Sequence, residues 1–158
     1  MERQDEMAKS VKRPAIREDD KRLERQLCFA VYATAHAFTR AYKPILGRVG
    51  LTYPQYLVML VLWEKSPLPV KAIGEQLDLD SGTLSPLLKR LEQNGLIVRT
   101  RDPKDERQVI VSLSEKGEAI KSEVDGIMSA IGEAAGCGIG EMASLRDRLQ
   151  QLRANLTR

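Results

Sequence analysis

The chain offers little chemistry that is not built on sulfur. Its nucleophile candidates are two cysteines, Cys28 and Cys137, 109 positions apart, and its single histidine is His36. A thiol reacts as the thiolate, so a working cysteine needs hydrogen-bond donors or positive charge beside it, and access. Zinc asks for closely spaced Cys and His ligands, and one histidine with two distant cysteines does not make such a set. A Ser-His-Asp or Cys-His catalytic set would have to use that same His36, which reads as a surface or interface histidine. No catalytic residue, metal site or cofactor is therefore assigned. Cys28 falls at the edge of an apolar helical stripe, roughly 100° from its centre on a helical wheel, which is a boundary position. Tyr32, Tyr42 and Tyr53 can donate hydroxyl hydrogen bonds to a thiolate, and they are equally good core residues. On the residues alone Cys28 is either a reactive thiol or an inert half-buried one.

A second chemistry lies in the middle of the chain. Val70, Ile73 and Leu77 mark one face of a short helix, and Asp78-Leu79-Asp80 follows as a tight turn. Leu84, Leu87, Leu88 and Leu91 then recur at helical spacing until Asn94-Gly95 stops the second helix. Two short helices across so short a turn predict a helix-turn-helix. The outward positions of the second helix are Ser81, Thr83, Ser85, Pro86, Lys89 and Arg90. Hydroxyls reach base edges and cations reach phosphates when such a helix lies in a major groove. After Gly95 the period changes to alternation. Leu96 to Thr100 and Gln108 to Leu113 read as two strands, joined by the turn residues Asp102-Pro103-Lys104-Asp105. Arg99, Arg101, Lys104 and Arg107 surround the hairpin tip, so the whole reads as a winged helix that binds DNA. The tip's acids, Asp102, Asp105 and Glu106, nearly cancel those bases and also suit a plain solvated loop.

The remaining elements must position these two chemistries. An apolar stripe of Leu23, Leu27, Ala30, Val31, Thr34, Phe38 and Ala41 predicts a first helix that Pro44 ends or bends. Ile45 to Gly50 is then one short turn. Thr52-Tyr53-Pro54-Gln55 is a capping box that opens a buried helix, and Ser66 to Pro69 reads as a loop. Beyond the hairpin, Ser114 caps a helix with the stripe Ile120, Val124, Ile127, Met128 and Ile131. Gly132 to Gly140 breaks it around Cys137, and Met142, Leu145, Leu149, Leu152 and Leu156 form a last stripe. The winged unit alone cannot cover these stripes, so homodimerisation through the chain ends is expected. Dimers of helix-turn-helix units read pseudo-palindromic half-sites about 34–36 Å apart. If the first helix is continuous, Tyr42 lies about 21 Å along it from Cys28. Any contact between those two residues then comes from the partner subunit.

Composition agrees. The 158 residues fit one domain, 25 bases against 22 acids leave +3, and 30% charged with 4% aromatic residues suits a mainly helical, charged surface. The longest apolar run, Tyr56 to Trp63, is far short of a membrane span, and no apolar signal segment opens the chain. A cytoplasmic protein with reduced cysteines and no membrane partner is expected.

The order of helices, wing and terminal helices resembles the MarR family of dimeric winged-helix regulators. Asp102-Pro103-Lys104-Asp105-Glu106-Arg107, running into Val111-Ser112-Leu113-Ser114-Glu115-Lys116-Gly117, is similar to that family's signature. Leu27-Cys28-Phe29-Ala30-Val31-Tyr32, Leu51-Thr52-Tyr53-Pro54-Gln55-Tyr56 and Leu79-Asp80-Ser81-Gly82-Thr83-Leu84 resemble its organic hydroperoxide regulator (OhrR) subgroup. The resemblance implies a repressor that releases double-stranded operator DNA on oxidation, and not an enzyme. It implies Cys28 as peroxide sensor among Tyr32, Tyr42 and Tyr53, and Cys137 as the cysteine that resolves it across the dimer. It also implies Arg107 in a minor groove, steadied by Asp105. The expected organisation is a mobile arm over 1–20, dimerisation helices over 21–48 and 115–158, and a winged helix-turn-helix over 50–114. The alternatives are a regulator that answers to a small phenolic or anionic ligand, and a thiol peroxidase.

Overall fold

The computed structural model describes residues 17–157, so most of the expected N-terminal arm lies outside the described residues. Two compact units divide the chain, Met1–Ala37 and Phe38–Arg158. The chain enters through two 3-10 turns, Glu18–Lys21 and Leu23–Arg25. Asp19 sits between Arg22 and Arg25, each at 3.0 Å, which ties the two turns together. Leu23 therefore precedes the first α-helix instead of opening it. Helix α1 spans Leu27–Gly47 with Pro44 inside. Pro44 was expected to end or bend this helix, and the helix runs past it. The ring costs a helix interior roughly 3 kcal/mol, through a lost N–H and a clash. Leu46, fully buried two residues later, supplies the packing that carries the helix on.

Helix α2, Tyr53–Glu64, is opened by the expected box, with the Thr52 N–H donating to Gln55 Oε1 at 2.9 Å. It is the buried axis of the second unit, from Tyr56 to Trp63. The segment read as a loop then contributes β1, Leu68–Pro69. Two residues are too few for alternation to show, and their strand character comes from a distant partner. Helix α3, Val70–Leu77, and helix α4, Ser81–Gln93, follow as the predicted two-helix unit. Between them Asp78 takes a left-handed conformation, with φ 56°. Gly74 allows the turn to close, since a Cβ there would stand 2.8 Å from the Leu79 carbonyl oxygen. Asp80 caps α4.

Strands β2, Ile97–Arg101, and β3, Val109–Leu113, form the hairpin. The sheet order is β1-β3-β2, all antiparallel, with Leu68 opposite Val111 and Pro69 opposite Ile110. The helix expected after Ser114 is divided. Helix α5, Glu115–Ala119, gives way to a 3-10 segment, Ile120–Glu123, before helix α6, Val124–Ala135. Ile120, Val124 and Ile127 pack on the core, while Met128 from the same stripe is 60% exposed. Helix α7, Ile139–Leu156, buries nothing. The glycine-rich break is shorter than expected. Gly132 stays in α6 and Gly140 in α7, so only residues 136–138 interrupt the helices, with Gly136 left-handed.

The start of α5 is latched to its surroundings. Ser114 Oγ donates to the Gly95 carbonyl at 2.6 Å, and Lys116 Nζ donates to that of Asn94 at 2.9 Å. Both carbonyls lie at the exit of α4, where helix ends need acceptors satisfied. The Trp63 indole donates to the Gly117 carbonyl at 2.9 Å, and Lys121 Nζ returns a bond to the Trp63 carbonyl at 3.1 Å.

Candidate nucleic-acid interface and thiol sites

Helix α4 presents one buried and one open face. Leu84, Leu88 and Leu91 fill the core, and Ser81, Thr83, Ser85, Pro86, Lys89 and Arg90 are all exposed. The cap modifies what one of them can offer. Asp80 accepts from the Thr83 N–H at 2.8 Å and from Thr83 Oγ1 at 3.0 Å. With its proton engaged, Thr83 has a methyl group and an acceptor lone pair left for an outside partner. These hydrogen bonds also hold the Asp80 carboxyl below its ordinary value.

The wing tip is ordered by its own acids. Asp102 Oδ1 accepts from the Lys104 N–H at 2.8 Å, as aspartates do in turns. Asp105 accepts from the Arg107 N–H at 3.1 Å and from Gln108 Nε2 at 3.1 Å. Asp105 thus steadies Arg107 through the main chain, and its two bonds do not involve the guanidinium. Spent on turn donors, these carboxylates leave Arg101, Lys104 and Arg107 exposed around the tip.

Arg99 has a different part from the one its place in the hairpin suggested. Its Nε and one terminal nitrogen donate to Glu92 Oε2 at 3.0 and 2.6 Å, and its N–H donates to Glu92 Oε1 at 3.2 Å. The guanidinium pulls the Glu92 carboxyl below its ordinary range. This fork joins the last turn of α4 to the first residues of the wing, so the two elements share one fastening. An acid just before the Asn94-Gly95 stop and an arginine just after it was the available sequence signal.

The thiols are both free, Cys28 exposed and Cys137 half-buried. Cys28 occupies the first turn of α1. Cys137 lies in the 136–138 break, its Sγ 3.3 Å from the Ala135 carbonyl oxygen. In the first unit the Tyr32 ring meets His36 edge-on at 4.4 Å between centroids, and both are exposed. In the second unit Tyr42 and Tyr53 stack at 4.6 Å. Tyr56, not singled out from the sequence, joins them at 5.6 Å from Tyr42, although its spacing of three from Tyr53 on one helix predicted a shared face. Burial, with the neighbouring Tyr56 and Tyr53 phenols, pushes Tyr42 up to about 12, so its hydroxyl remains a donor throughout the neutral range. Among the described residues no helix is long and apolar enough to cross a membrane.

Comparison with known proteins agrees with this architecture. The family model of the transcriptional regulator SarA/Rot matches residues 40–124. The HTH-type transcriptional regulator TtmR of Methylorubrum extorquens is 51% identical over 94% of this chain and 76% of its own length. The organic hydroperoxide resistance transcriptional regulator of Bacillus subtilis is 52% identical, over 72% of this chain and 77% of its own. Among solved structures, reduced AbfR bound to DNA superposes with TM-score 0.71 at 37% identity, covering 89% of this chain and 98% of that one. AbfR is a protein of Staphylococcus epidermidis, and its disulfide form superposes with TM-score 0.59 at 39% identity, covering 85% and 94%. The architecture is thus shared with regulators across most of the chain, and the chain belongs to the MarR family of winged-helix transcriptional regulators, in its organic hydroperoxide regulator branch.

Proposed function

We propose that this protein is a cytoplasmic, homodimeric repressor that binds pseudo-palindromic operator DNA and releases it when an organic hydroperoxide oxidises Cys28. The carrying observation is that both thiols are free and reachable, on segments next to apolar faces that the chain itself leaves open. Residues 21–48 and 115–158 supply the dimer, and residues 50–114 read DNA. Ser81, Thr83, Ser85, Pro86, Lys89 and Arg90 face the major groove, Arg107, steadied by Asp105, faces the minor groove, and Arg101 and Lys104 face the backbone.

The chemistry balances without a cofactor. The Cys28 thiolate attacks the terminal peroxide oxygen, the O–O bond breaks, and the alcohol leaves with a proton while sulfur becomes a sulfenic acid. The Cys137 thiolate of the other subunit then attacks that sulfur and displaces hydroxide, leaving a disulfide. Tyr32, Tyr42 and Tyr53 serve as donors around the thiolate, with Tyr42, and Tyr53 stacked on it, supplied by the partner because α1 is continuous from Leu27 to Gly47. AbfR, solved reduced on DNA and in a disulfide form, supports the same sequence of states here. One equivalent of peroxide switches one sensor, which distinguishes this from turnover by a peroxidase.

The test is to select operator duplexes with reduced protein, titrate the complex with cumene hydroperoxide, and run non-reducing gels. DNA release together with a covalent dimer is expected, and Cys28→Ser should bind DNA without either response. Cys137→Ser should respond partly and over-oxidise. Release from Cys28→Ser on adding a phenolic acid would instead mark a ligand-responsive regulator, and repeated peroxide consumption with a thiol reductant would mark an enzyme.

A further inference from the structure

A groove of about 590 Å³ opens between α3, α4 and the wing. Its polar lining is Lys71, Ser85, Arg99, Arg107 and Gln108, above a floor that includes Leu88. Three cations line it and no acid does. The groove on the other side of α3, about 540 Å³, is lined by Glu75, Asp78 and Asp80 with Lys71 as its one cation. Two neighbouring hollows of similar size therefore have opposite electrostatic character, and only the first attracts an anion.

The short strand β1 creates this difference. By pairing Pro69 with Ile110, it sets the first turn of α3 beside the root of the wing, so Lys71 comes to share a hollow with Arg107 and Gln108. The Glu92 fork holds Arg99 at the back of the same hollow. Among the described residues Lys71 pairs with Glu75, at 3.8 Å, with both side chains largely exposed. Such a pair holds its partner weakly, so the ammonium can turn to a stronger anion.

Adjacent grooves of a duplex are separated by one sugar-phosphate strand. A protein that lays a helix in the major groove and a hairpin in the next minor groove must straddle that strand. We infer that the cationic groove between α4 and the wing seats a DNA backbone phosphate, with Lys71 as a phosphate-binding residue and Ser85 and Gln108 as neutral donors beside it. The inference rests on the DNA-binding reading above and adds the strand between the two grooves to it.

Each neutralised phosphate contributes about 0.9 to the slope of log affinity against log salt. Lys71→Ala should therefore weaken operator and unrelated duplex alike. Its slope should be shallower by about 0.9, which makes the affinity lost between about 50 and 200 mM salt about 3.5-fold smaller than for wild type. Lys71→Arg should restore the slope. Fluorescence anisotropy with labelled duplexes measures all of these, with Lys89→Ala and Arg107→Ala alongside and circular dichroism to confirm folding. A Lys71→Ala slope equal to wild type, with or without an affinity loss, would overturn the phosphate groove while Lys89 and Arg107 still register. If all three variants bind as wild type does, the DNA-binding reading itself is lost.

Discussion

From Leu46 to Ile127 most large apolar side chains of α2, α3, α4 and the sheet are enclosed, with Leu46, Val58, Met59, Ile73, Leu91 and Val111 fully buried and Val98 the exposed exception. Helix α7 encloses none, and its Ile139 is 86% exposed. At the other end Leu27 is 61% exposed and Tyr32 62%. Yet the spacing of apolar residues is as regular in the ends as in the middle. The difference teaches that periodicity reports a face to be covered and says nothing about which surface covers it. The middle covers its faces from within one chain. The ends, which carry the two thiols, have to find theirs elsewhere, and a second copy is the cover proposed here.

Four variants can break or sharpen that contrast. The largest effect belongs to the enclosed region. Gly117 is pressed on the recognition-helix exit so closely that a Cβ would collide with the Leu96 carbonyl oxygen. Backbone cannot yield as a side-chain tip can, so Gly117→Ala should cost about 3 kcal/mol and lower the melting temperature by roughly 6–12 °C in calorimetry. A melt within 2 °C of wild type would show the latch to be soft.

At the open ends the same measurement should barely move, and assembly should move instead. Leu145 and Leu149 are 51% and 42% exposed in the single chain. Withdrawing one from a dimer core forfeits about 1.5–3 kcal/mol, so Leu145→Asp with Leu149→Asp should shift the protein to monomer at micromolar concentration. Sedimentation velocity decides this, and a wild type that already sediments as a monomer would remove the proposed cover altogether.

Arg107→Ala tests the outer surface of the enclosed region. Operator binding should fall by about 1–3 kcal/mol while the melting temperature stays near wild type. Stability is spared because Asp105 keeps its bonds to the Arg107 N–H and the Gln108 amide after truncation. A matched loss of stability would place Arg107 in the scaffold.

The smallest effect concerns the α4 cap, and it carries a pH signature. The hydrogen bonds from Thr83 depress the Asp80 carboxyl in the folded state. Its stabilisation is therefore complete above the ordinary carboxylate range and is lost as pH falls through the lowered folded value. Asp80→Ala should melt below wild type at neutral pH, and the gap should close in acid. A gap constant with pH would mean that the charge contributes nothing to the cap.

Much of the scaffold was legible in local pattern. The α3–α4 unit, the Thr52, Asn94-Gly95 and Ser114 boundaries and the change from helical to alternating period are decided by neighbours within a few residues, and the fold keeps them. Of the residues proposed to face DNA, the outward set on α4 could be read because a helix with one buried face determines its other face. The parts that escaped share a different cause. Helix α1 passes Pro44 because Leu46 is buried by distant residues, and Leu68–Pro69 is a strand because β3 lies beside it. Arg99 faces Glu92 and not solvent, and Lys71 shares a hollow with Arg107, for reasons of sheet register and helix placement. Sequence by itself thus determined the helices, their caps, the wing and the chemical types available at Cys28 and Cys137. Only the tertiary structure decided which cations are tied to acids, which aspartates are spent on the turn and which apolar faces stay open. Local periods act over a turn or two of chain, whereas charge pairing and burial depend on residues brought together from far apart in sequence.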